Sequence, residues 1–152
     1  SDADLIRPDH VAAADTPQAA AAVLTARRYA TFWHTGDARY ATEALSPSFV
    51  DRTLPAGRVQ GTQGPLDASK AFRTAVPDMR VAIEDMVVAG DRVSVHLRFR
   101  GHFTGEFGRT HGQNQPIDFQ AFDLYRIADG KIAENWHLED NQTLLGQMGL
   151  QP

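Results

Sequence analysis

The sequence contains no cysteine, so disulfide bonds, thiolate catalysis and zinc sites built on cysteine are excluded. No apolar run approaches the ~20 residues of a membrane-spanning helix, and we expect no membrane partner. The 15 basic and 19 acidic side chains give a net charge of −4, with no basic face that could neutralise phosphates. We therefore expect no nucleic-acid partner.

The usual signatures of cofactor and metal sites are also missing. The chain has no glycine-rich phosphate loop, no Gly-x-Ser-x-Gly motif and no dinucleotide fingerprint. No two histidines have the His-x-x-x-His spacing of a metal site. This spacing excludes a metal site on one helix, but not a metal bound by residues far apart in sequence. We predict neither a cofactor nor a metal.

The length of 152 residues and a hydrophobic content of 42% indicate one domain with a packed core. Residues 1–15 are polar, alanine-rich and aperiodic, which predicts a flexible N-terminal arm before a single domain over residues 16–152. The first residue is Ser rather than Met. This predicts a periplasmic or secreted protein if a signal peptide has been removed, and otherwise a cytoplasmic one.

Helical signals fill the first half of the chain. Thr16 and Pro17 have the character of a helix N-cap and first position, and Gly36 that of a C-terminal cap. A second helix is predicted over residues 38–45, and a third from residue 64 to just before Pro77. A short closing helix is predicted over residues 141–148.

From residue 79 the period changes to two, which predicts an antiparallel meander. Gly90 and Asp91 suit a tight hairpin turn, and residues 101–116 are predicted to form a mobile rim loop. Three helices followed by a meander indicate the α+β class, with helices packed on a strongly curved sheet that forms a cone with one open mouth.

The turn of the last hairpin decides which side chains share a face. A two-residue Asp129-Gly130 turn would put Asp123 and His137 on opposite faces. A three-residue loop over 128–130 instead pairs Asp123 with Asn135 and makes Asp123 and His137 diagonal neighbours, with Cβ atoms ~7 Å apart. We predict the second form, because Gly130 then occupies the position that needs a positive φ.

In that register one face of the hairpin carries polar groups among small and aromatic ones, as ligand pockets do. His137 is the predicted general base, with Asp123 orienting its ring and Asp140 as an alternative partner. A structural histidine, and a helix N-cap role for Asp140, are the alternative interpretations. The other predicted pocket-lining or supporting residues are Asp51, Asn135, Tyr125, Ala121, Glu139 and Trp33.

The block Arg-Ile-Ala-Asp-Gly-Lys-Ile-Ala-Glu-Asn-Trp-His over residues 126–137, followed by Asp140 and Leu-Leu-Gly-Gln-Met-Gly over 144–149, resembles the SnoaL-like polyketide cyclases. These ester cyclases belong to the nuclear transport factor 2-like (cystatin-like) superfamily. Similar patterns occur at residues 32–37, 46–51 and 101–106, so the resemblance runs from about residue 17 to 149. It implies a cystatin-like conical barrel of three N-terminal helices on a curved antiparallel sheet, in agreement with the α+β prediction.

Cyclases of this family close a ring in an aromatic polyketide ester by intramolecular aldol condensation, without a cofactor. Their acidic residue on the last long strand, histidine on the preceding strand and asparagine after the second helix align with His137, Asp123 and Asp51. The acid and the histidine are thus exchanged here. The resemblance implies a cofactor-independent acid/base enzyme for a small, apolar, carbonyl-containing ligand.

Two alternatives stay open: a non-catalytic binder of small molecules, and a His-carboxylate hydrolase, dehydratase or isomerase. His137→Ala is expected to abolish turnover while the fold stays intact. The alternating residues Val93, Val95, Leu97 and Phe99, with Trp136, are predicted to form an apolar outer face. Such a face needs a cover, which predicts a homodimer or homotetramer through the sheet.

Overall fold

Four helices pack on a curled sheet in the computed structural model, which describes residues 1–150. The helices are α1 (Pro17–Thr35), α2 (Ala38–Ala44), α3 (Gln63–Ala75) and α4 (Asn141–Gln147), and a short 3₁₀ turn spans Asp2–Asp4. The strands are β1 (His10–Ala12), β2 (Leu45–Asp51), β3 (Arg80–Ala89), β4 (Arg92–Phe103), β5 (Glu106–Phe107), β6 (Thr110–His111), β7 (Gln115–Ala128) and β8 (Lys131–Glu139). The predicted α+β class is confirmed.

The main sheet has six strands in the order β1-β3-β4-β7-β8-β2. Its four long central strands are antiparallel, as predicted. Both edge strands, which lie outside the predicted meander, run parallel to their neighbours, β1 to β3 and β2 to β8, so the sheet as a whole is mixed. Each edge strand reaches its neighbour after a long excursion of the chain, which allows the parallel direction.

The helix boundaries follow their local chemistry. The Thr16 hydroxyl accepts a hydrogen bond from the Ala19 amide at 3.1 Å, and Gly36 ends α1 with a φ of 75°. Asp37 caps α2, which ends at Ala44, one residue before the predicted end. The caps and stops read from the sequence therefore locate these helices to within about one residue.

The N-terminal segment, predicted to be a flexible arm, lies against its own chain. Leu5 is buried, and the Ile6 amide donates to the Thr31 hydroxyl at 3.1 Å. The Arg27 guanidinium donates to the Ile6 carbonyl at 2.9 Å. Strand β1 then pairs with β3, so both apolar burial and backbone pairing fix this segment.

Four of the five residues predicted to form an apolar outer face lie on the inner face instead, whereas Trp136, which alternates with the buried Asn135 and His137 on β8, faces outward as predicted. Val93, Val95, Leu97 and Phe99 are all buried, and Val95 pairs with Asp123 across β4 and β7. Alternation shows which side chains share a face, but it does not show which face the helices cover. Large apolar side chains on the outside are fewer: Phe122 is 57% exposed and Leu138 is 75% exposed.

The stretch 101–116, predicted to be a mobile rim loop, is largely strand. Its first residues continue β4, and β5 and β6 form a small hairpin before β7 begins. Gly105 permits the close approach of this hairpin to α3, because a Cβ there would lie 1.8 Å from the Thr74 carbonyl oxygen. The stretch therefore extends the wall of the barrel.

The turn of the last hairpin has two residues, so the three-residue prediction is wrong. Asp129 and Gly130 have φ values of 52° and 73°, and Ala128 pairs with Lys131. Positive φ at both central residues is typical of a type I′ turn, which Asp-Gly favours.

A β-bulge then restores the predicted face. Ile127 pairs with Ile132, but Arg126 pairs with Glu134, so Ala133 is an extra residue in β8. Ile132, on the turn side of the bulge, is buried in the core. Beyond the bulge Asp123 and His137 pair directly across the two strands and so lie on one face. The two residues share a face as predicted, but the cause is the bulge and not a three-residue turn.

Candidate active site

A buried cluster of one imidazole and two carboxylates lies on the inner face of β8. His137 Nε2 is 2.8 Å from Asp51 Oδ2, and His137 Nδ1 is 2.7 Å from Glu139 Oε2. Side-chain exposures are 6% for His137, 4% for Asp51 and 23% for Glu139. Both ring nitrogens face carboxyl oxygens, an arrangement in which an imidazolium donates a proton to each side.

The end of strand β2 brings Asp51 to this cluster. Asp51 pairs with Asn135 in the parallel β2–β8 ladder, and the Thr53 amide donates to Asp51 Oδ1 at 2.9 Å. The Thr53 hydroxyl in turn accepts from the His137 amide at 2.9 Å. The neighbouring Arg52 does not form an ion pair with Asp51, because its guanidinium bonds Glu134 instead.

The pKa of His137 is set by opposing effects. Burial of the ring lowers this pKa, but the hydrogen bond and charge of Glu139 and the hydrogen bond to Asp51 raise it, and the result is about 9. At neutral pH His137 is therefore protonated. Neither its hydrogen bonds nor its pKa leaves a lone pair for the general-base role predicted from the sequence.

Asp123 has the complementary character. Burial in the barrel raises the pKa of this carboxyl to about 7, even though the positive charge of His137 and a hydrogen bond from Asn135 lower it. Asn135 Nδ2 donates to Asp123 Oδ2 at 3.1 Å. Oδ1 accepts no hydrogen bond from residues 1–150. The carboxyl is enclosed by protein but partly accessible from the cavity that it lines.

Several predicted roles are corrected by these contacts. No hydrogen bond joins Asp123 to His137 within residues 1–150, so Asp51 and Glu139 orient the ring instead. Asp140 lies outside the cluster and caps α4, accepting from the Thr143 amide at 3.2 Å, as its alternative interpretation held. Tyr125 lies behind the cavity wall, with its ring against that of Tyr29.

The inner cavity contains Asp123, His137 and Glu139 in its wall, together with the predicted Asn135, Ala121 and Trp33. Its free volume is about 50 Å³. The sequence analysis did not find the remaining lining residues, which are Tyr29, Arg58, Phe72, Leu97, Phe99 and Phe119. Arg58 lies in an aperiodic loop, where hydrophobic patterning gives no orientation, whereas Leu97 and Phe99 had been assigned to the wrong face.

No group of three or more His, Asp or Glu side chains within residues 1–150 is arranged to hold a metal ion. In the same part of the chain, no helix combines the length and apolar character needed to cross a membrane.

Comparison with known proteins places this geometry in a family. The family model of the SnoaL-like polyketide cyclases matches residues 23–148. A candidate polyketide cyclase from Bacillus cereus is 38% identical, with a TM-score of 0.88 over 98% of this chain and 96% of that one. No curated protein sequence matches this chain.

Two further solved structures share the architecture. IdmH, a candidate polyketide cyclase from Streptomyces antibioticus, is 26% identical, with a TM-score of 0.72 over 82% of this chain and 96% of that one. A protein with a ketosteroid isomerase-like fold from Catenulispora acidiphila is 19% identical, with a TM-score of 0.64 over 84% and 93% of the two chains. This chain belongs to the SnoaL-like polyketide cyclase family, on the nuclear transport factor 2-like fold.

Proposed function

We propose that the chain is a cofactor-independent acid/base enzyme that closes a ring in a carbonyl compound, with Asp123 as the general base. The observation that carries this proposal is a carboxyl in the cavity wall whose pKa is about 7 and whose Oδ1 has no hydrogen-bond donor in residues 1–150. A general base is most effective when its pKa lies near the working pH. Such a carboxylate combines basicity with a free lone pair.

His137 supports the base and does not replace it. Its imidazolium charge is the largest effect opposing the rise in the pKa of Asp123, so it keeps a useful fraction of that carboxyl ionised at neutral pH. Asp51 and Glu139 keep the ring protonated and fixed. His137 is therefore a positioning residue, and the exchange of acid and histidine relative to the family leaves a carboxylate as the base.

The reaction balances without a cofactor. Asp123 takes a proton from the carbon between two carbonyl groups, and the C–H electron pair moves into an enolate. The enolate carbon attacks a second carbonyl of the same molecule, which forms a C–C bond and moves the C=O π pair onto oxygen. The protonated Asp123 then gives its proton to that alkoxide, directly or through a water molecule, which returns Asp123 to the carboxylate.

The first step can be tested by hydrogen–deuterium exchange at the activated carbon of methyl benzoylacetate in D₂O, followed by NMR. Asp123→Asn should lower the protein-catalysed rate about 10²–10⁴-fold, the range of general acid–base help. Asp140→Asn is the matched control, because asparagine also caps helices, and it should exchange at the unsubstituted rate.

The pH profile provides a second readout of the same step. Exchange should rise as pH passes about 7, where Asp123 ionises, and fall as pH passes about 9, where His137 loses its proton. Exchange by Asp123→Asn at the unsubstituted rate, or no acceleration over buffer by the unsubstituted protein, would overturn the proposal.

We also propose that copies of the chain associate as a homodimer or homotetramer through the outer face of the sheet. Phe122 and Leu138 are cross-strand partners there and are both exposed, so a second copy on a twofold axis could bury the pair against its own equivalent. Phe122→Lys should lower the mass measured by sedimentation to that of one chain. Val59→Lys, at an exposed loop position, should leave the mass unchanged. A single-chain mass for the unsubstituted protein at micromolar concentration would contradict association.

A further inference from the structure

Among residues 1–150, Tyr29 is the only tyrosine that lines the inner cavity. Its side chain comes from α1 and is 2% exposed, whereas Asp123, in the wall of the same cavity, comes from β7. The helix layer and the sheet layer thus each contribute a polar group to one small space. The proposed function uses Asp123 and leaves the hydroxyl of Tyr29 without a role.

Three aromatic neighbours hold the ring of Tyr29 in place. The rings of Tyr125 and Trp33 pack edge-on against it, with centroids 5.8 Å and 6.1 Å away. The ring of Phe32 stacks on it at 5.9 Å, with planes 13° apart. Such contacts fix the direction of the C–O bond before a ligand arrives, so a hydrogen bond from this hydroxyl would need little reorganisation.

The hydroxyl of Tyr29 donates its proton to no acceptor within residues 1–150. In this part of the chain, the side-chain nitrogen and oxygen atoms that are fully enclosed without a hydrogen-bond partner are three arginine Nε atoms. The oxygen of Tyr29 is not one of them, so it is in contact with free space, and the cavity that the side chain lines supplies that space. A phenol in this position is a donor available to a ligand oxygen.

The charges around this hydroxyl change when the proposed base takes a proton. Burial and the negative charge of Asp123 raise the pKa of Tyr29 above its ordinary 10, although the Trp33 side chain and the positive charge of Arg58 lower it. The hydroxyl therefore keeps its proton wherever Asp123 can act as a base. Once Asp123 is protonated, its negative charge no longer repels an anion beside Tyr29, while the charge of Arg58 still attracts one.

We propose that Tyr29 is a further catalytic residue, whose hydroxyl donates a hydrogen bond to the substrate oxygen on which the enolate charge develops. The inference rests on the proposed function. The C–H bond breaks, its proton goes to Asp123, and its electron pair moves into the enolate, while Tyr29 keeps its own proton throughout. Because the hydrogen bond is stronger to the enolate than to the neutral carbonyl, it lowers the barrier more than it tightens substrate binding.

The kinetic test is Tyr29→Phe, which removes the hydroxyl and keeps the packed ring. This variant should lower kcat for deuterium exchange at methyl benzoylacetate about 10²-fold, as loss of one donor to a developing oxyanion does, and should leave KM nearly unchanged. Tyr40→Phe is the matched control, because Tyr40 is also buried but its hydroxyl lies outside the inner cavity, where it accepts from Arg39 at 3.1 Å. It should keep the unsubstituted kcat, and urea midpoints check that both variants are folded.

A binding test needs no turnover. At pH 8 the small β-diketone 1,3-cyclohexanedione is an enolate, whereas its methyl ether, 3-methoxycyclohex-2-en-1-one, is neutral. Both are titrated by calorimetry into the Asp123→Asn protein, which carries no charge at that position, as the complex does after proton transfer. Adding Tyr29→Phe to this protein should weaken the enolate at least tenfold, as loss of a hydrogen bond to a charged group does, and should weaken the neutral ether much less.

These outcomes separate the role of Tyr29 from that of Asp123. An unchanged kcat in Tyr29→Phe, or an equal loss of binding for the enolate and the neutral ether, overturns the role of Tyr29 even if Asp123→Asn abolishes exchange. Exchange by Asp123→Asn at the unsubstituted rate overturns the proposed base instead. The binding test still decides the role of Tyr29 in that case, because it uses an enolate that is already formed.

Discussion

Two histidines in this molecule make nearly the same contact in different surroundings. His102 Nδ1 is 2.7 Å from Asp78 Oδ2, and His137 Nδ1 is 2.7 Å from Glu139 Oε2. The first pair is at the surface, with side chains 43% and 49% exposed. The second is buried, and His137 has Asp51 as a further carboxylate partner.

The comparison shows that a His-carboxylate contact alone does not indicate an active site, and that its burial and the charged groups around it decide. Water screens the surface pair, which limits its energy to about 1 kcal/mol or less. In the barrel the dielectric is lower, charges interact strongly, and an unpaired charge is costly. Burial also raises the pKa of Asp123 beside the inner cluster, and within residues 1–150 no carboxyl with a raised pKa adjoins the surface pair.

The largest expected effect comes from breaking the buried pair. His137→Ala removes the cation that lies between Asp51 and Glu139 and leaves Asp51 only its 3.8 Å contact with Arg58, so it should lower the free energy of unfolding by about 3 kcal/mol. His102→Ala should cost less than about 1 kcal/mol. Urea unfolding of both variants measures the two values. This differs from the sequence-based expectation that the fold would be unaffected by loss of His137.

The pH dependence of that difference has a defined sign. The folded-state pKa of His137 is about 9, above its ordinary 6.5, so its stabilisation is complete below pH 6.5 and lost as pH rises through about 9. The two variants should therefore converge in stability at high pH. Equal losses for both variants at neutral pH would contradict the distinction between the buried and the surface pair.

A smaller effect, of opposite sign, is expected at the proposed base. Burial raises the pKa of Asp123 from 3.8 to about 7, so the folded protein must keep this carboxyl protonated, or ionise it at a cost, above pH 3.8. The free energy of unfolding therefore carries no penalty from Asp123 below pH 3.8, and the penalty grows to its full size as the pH rises to about 7. Asp123→Asn should stabilise the protein by about 2 kcal/mol at pH 8 and by almost nothing near pH 4. Urea unfolding at both values measures the gain. A loss of stability at pH 8 would show that the carboxylate is well compensated.

Much of the fold could be predicted because its signals are local. Thr16 and Gly36 determine the ends of α1 through their own hydrogen bonds and dihedral angle, and strict alternation identifies β4. The orientation of that strand could not be predicted, because alternation is symmetrical between the two faces. The parallel edge strands depend on contacts between segments far apart in sequence, which no local pattern encodes.

The candidate site was predicted in part, and for an incorrect reason. The sequence placed Asp123 and His137 on one face through a three-residue turn, whereas the bulge at Ala133 produces that face. No residue type marks that bulge in advance. The roles were exchanged because the protonation state of His137 depends on the hydrogen bond and charge of Glu139 and also on Asp51, a residue 86 positions away. Arg58 was missed because loops carry no periodicity.

The smallest expected change in stability is at Asp78, the surface carboxylate that pairs with His102. Burial tends to raise the pKa of Asp78, but hydrogen bonds from the His102 side chain and amide lower it on balance, so its stabilisation is present above pH 3.8 and lost as pH falls below that value. Asp78→Asn should therefore lose stability at pH 8, by less than about 1 kcal/mol, where Asp123→Asn gains it. Added salt should reduce the loss, because screening acts on exposed charges, and should affect the gain less. Two Asp→Asn substitutions of the same sign and salt dependence would mean that burial does not distinguish the two carboxylates.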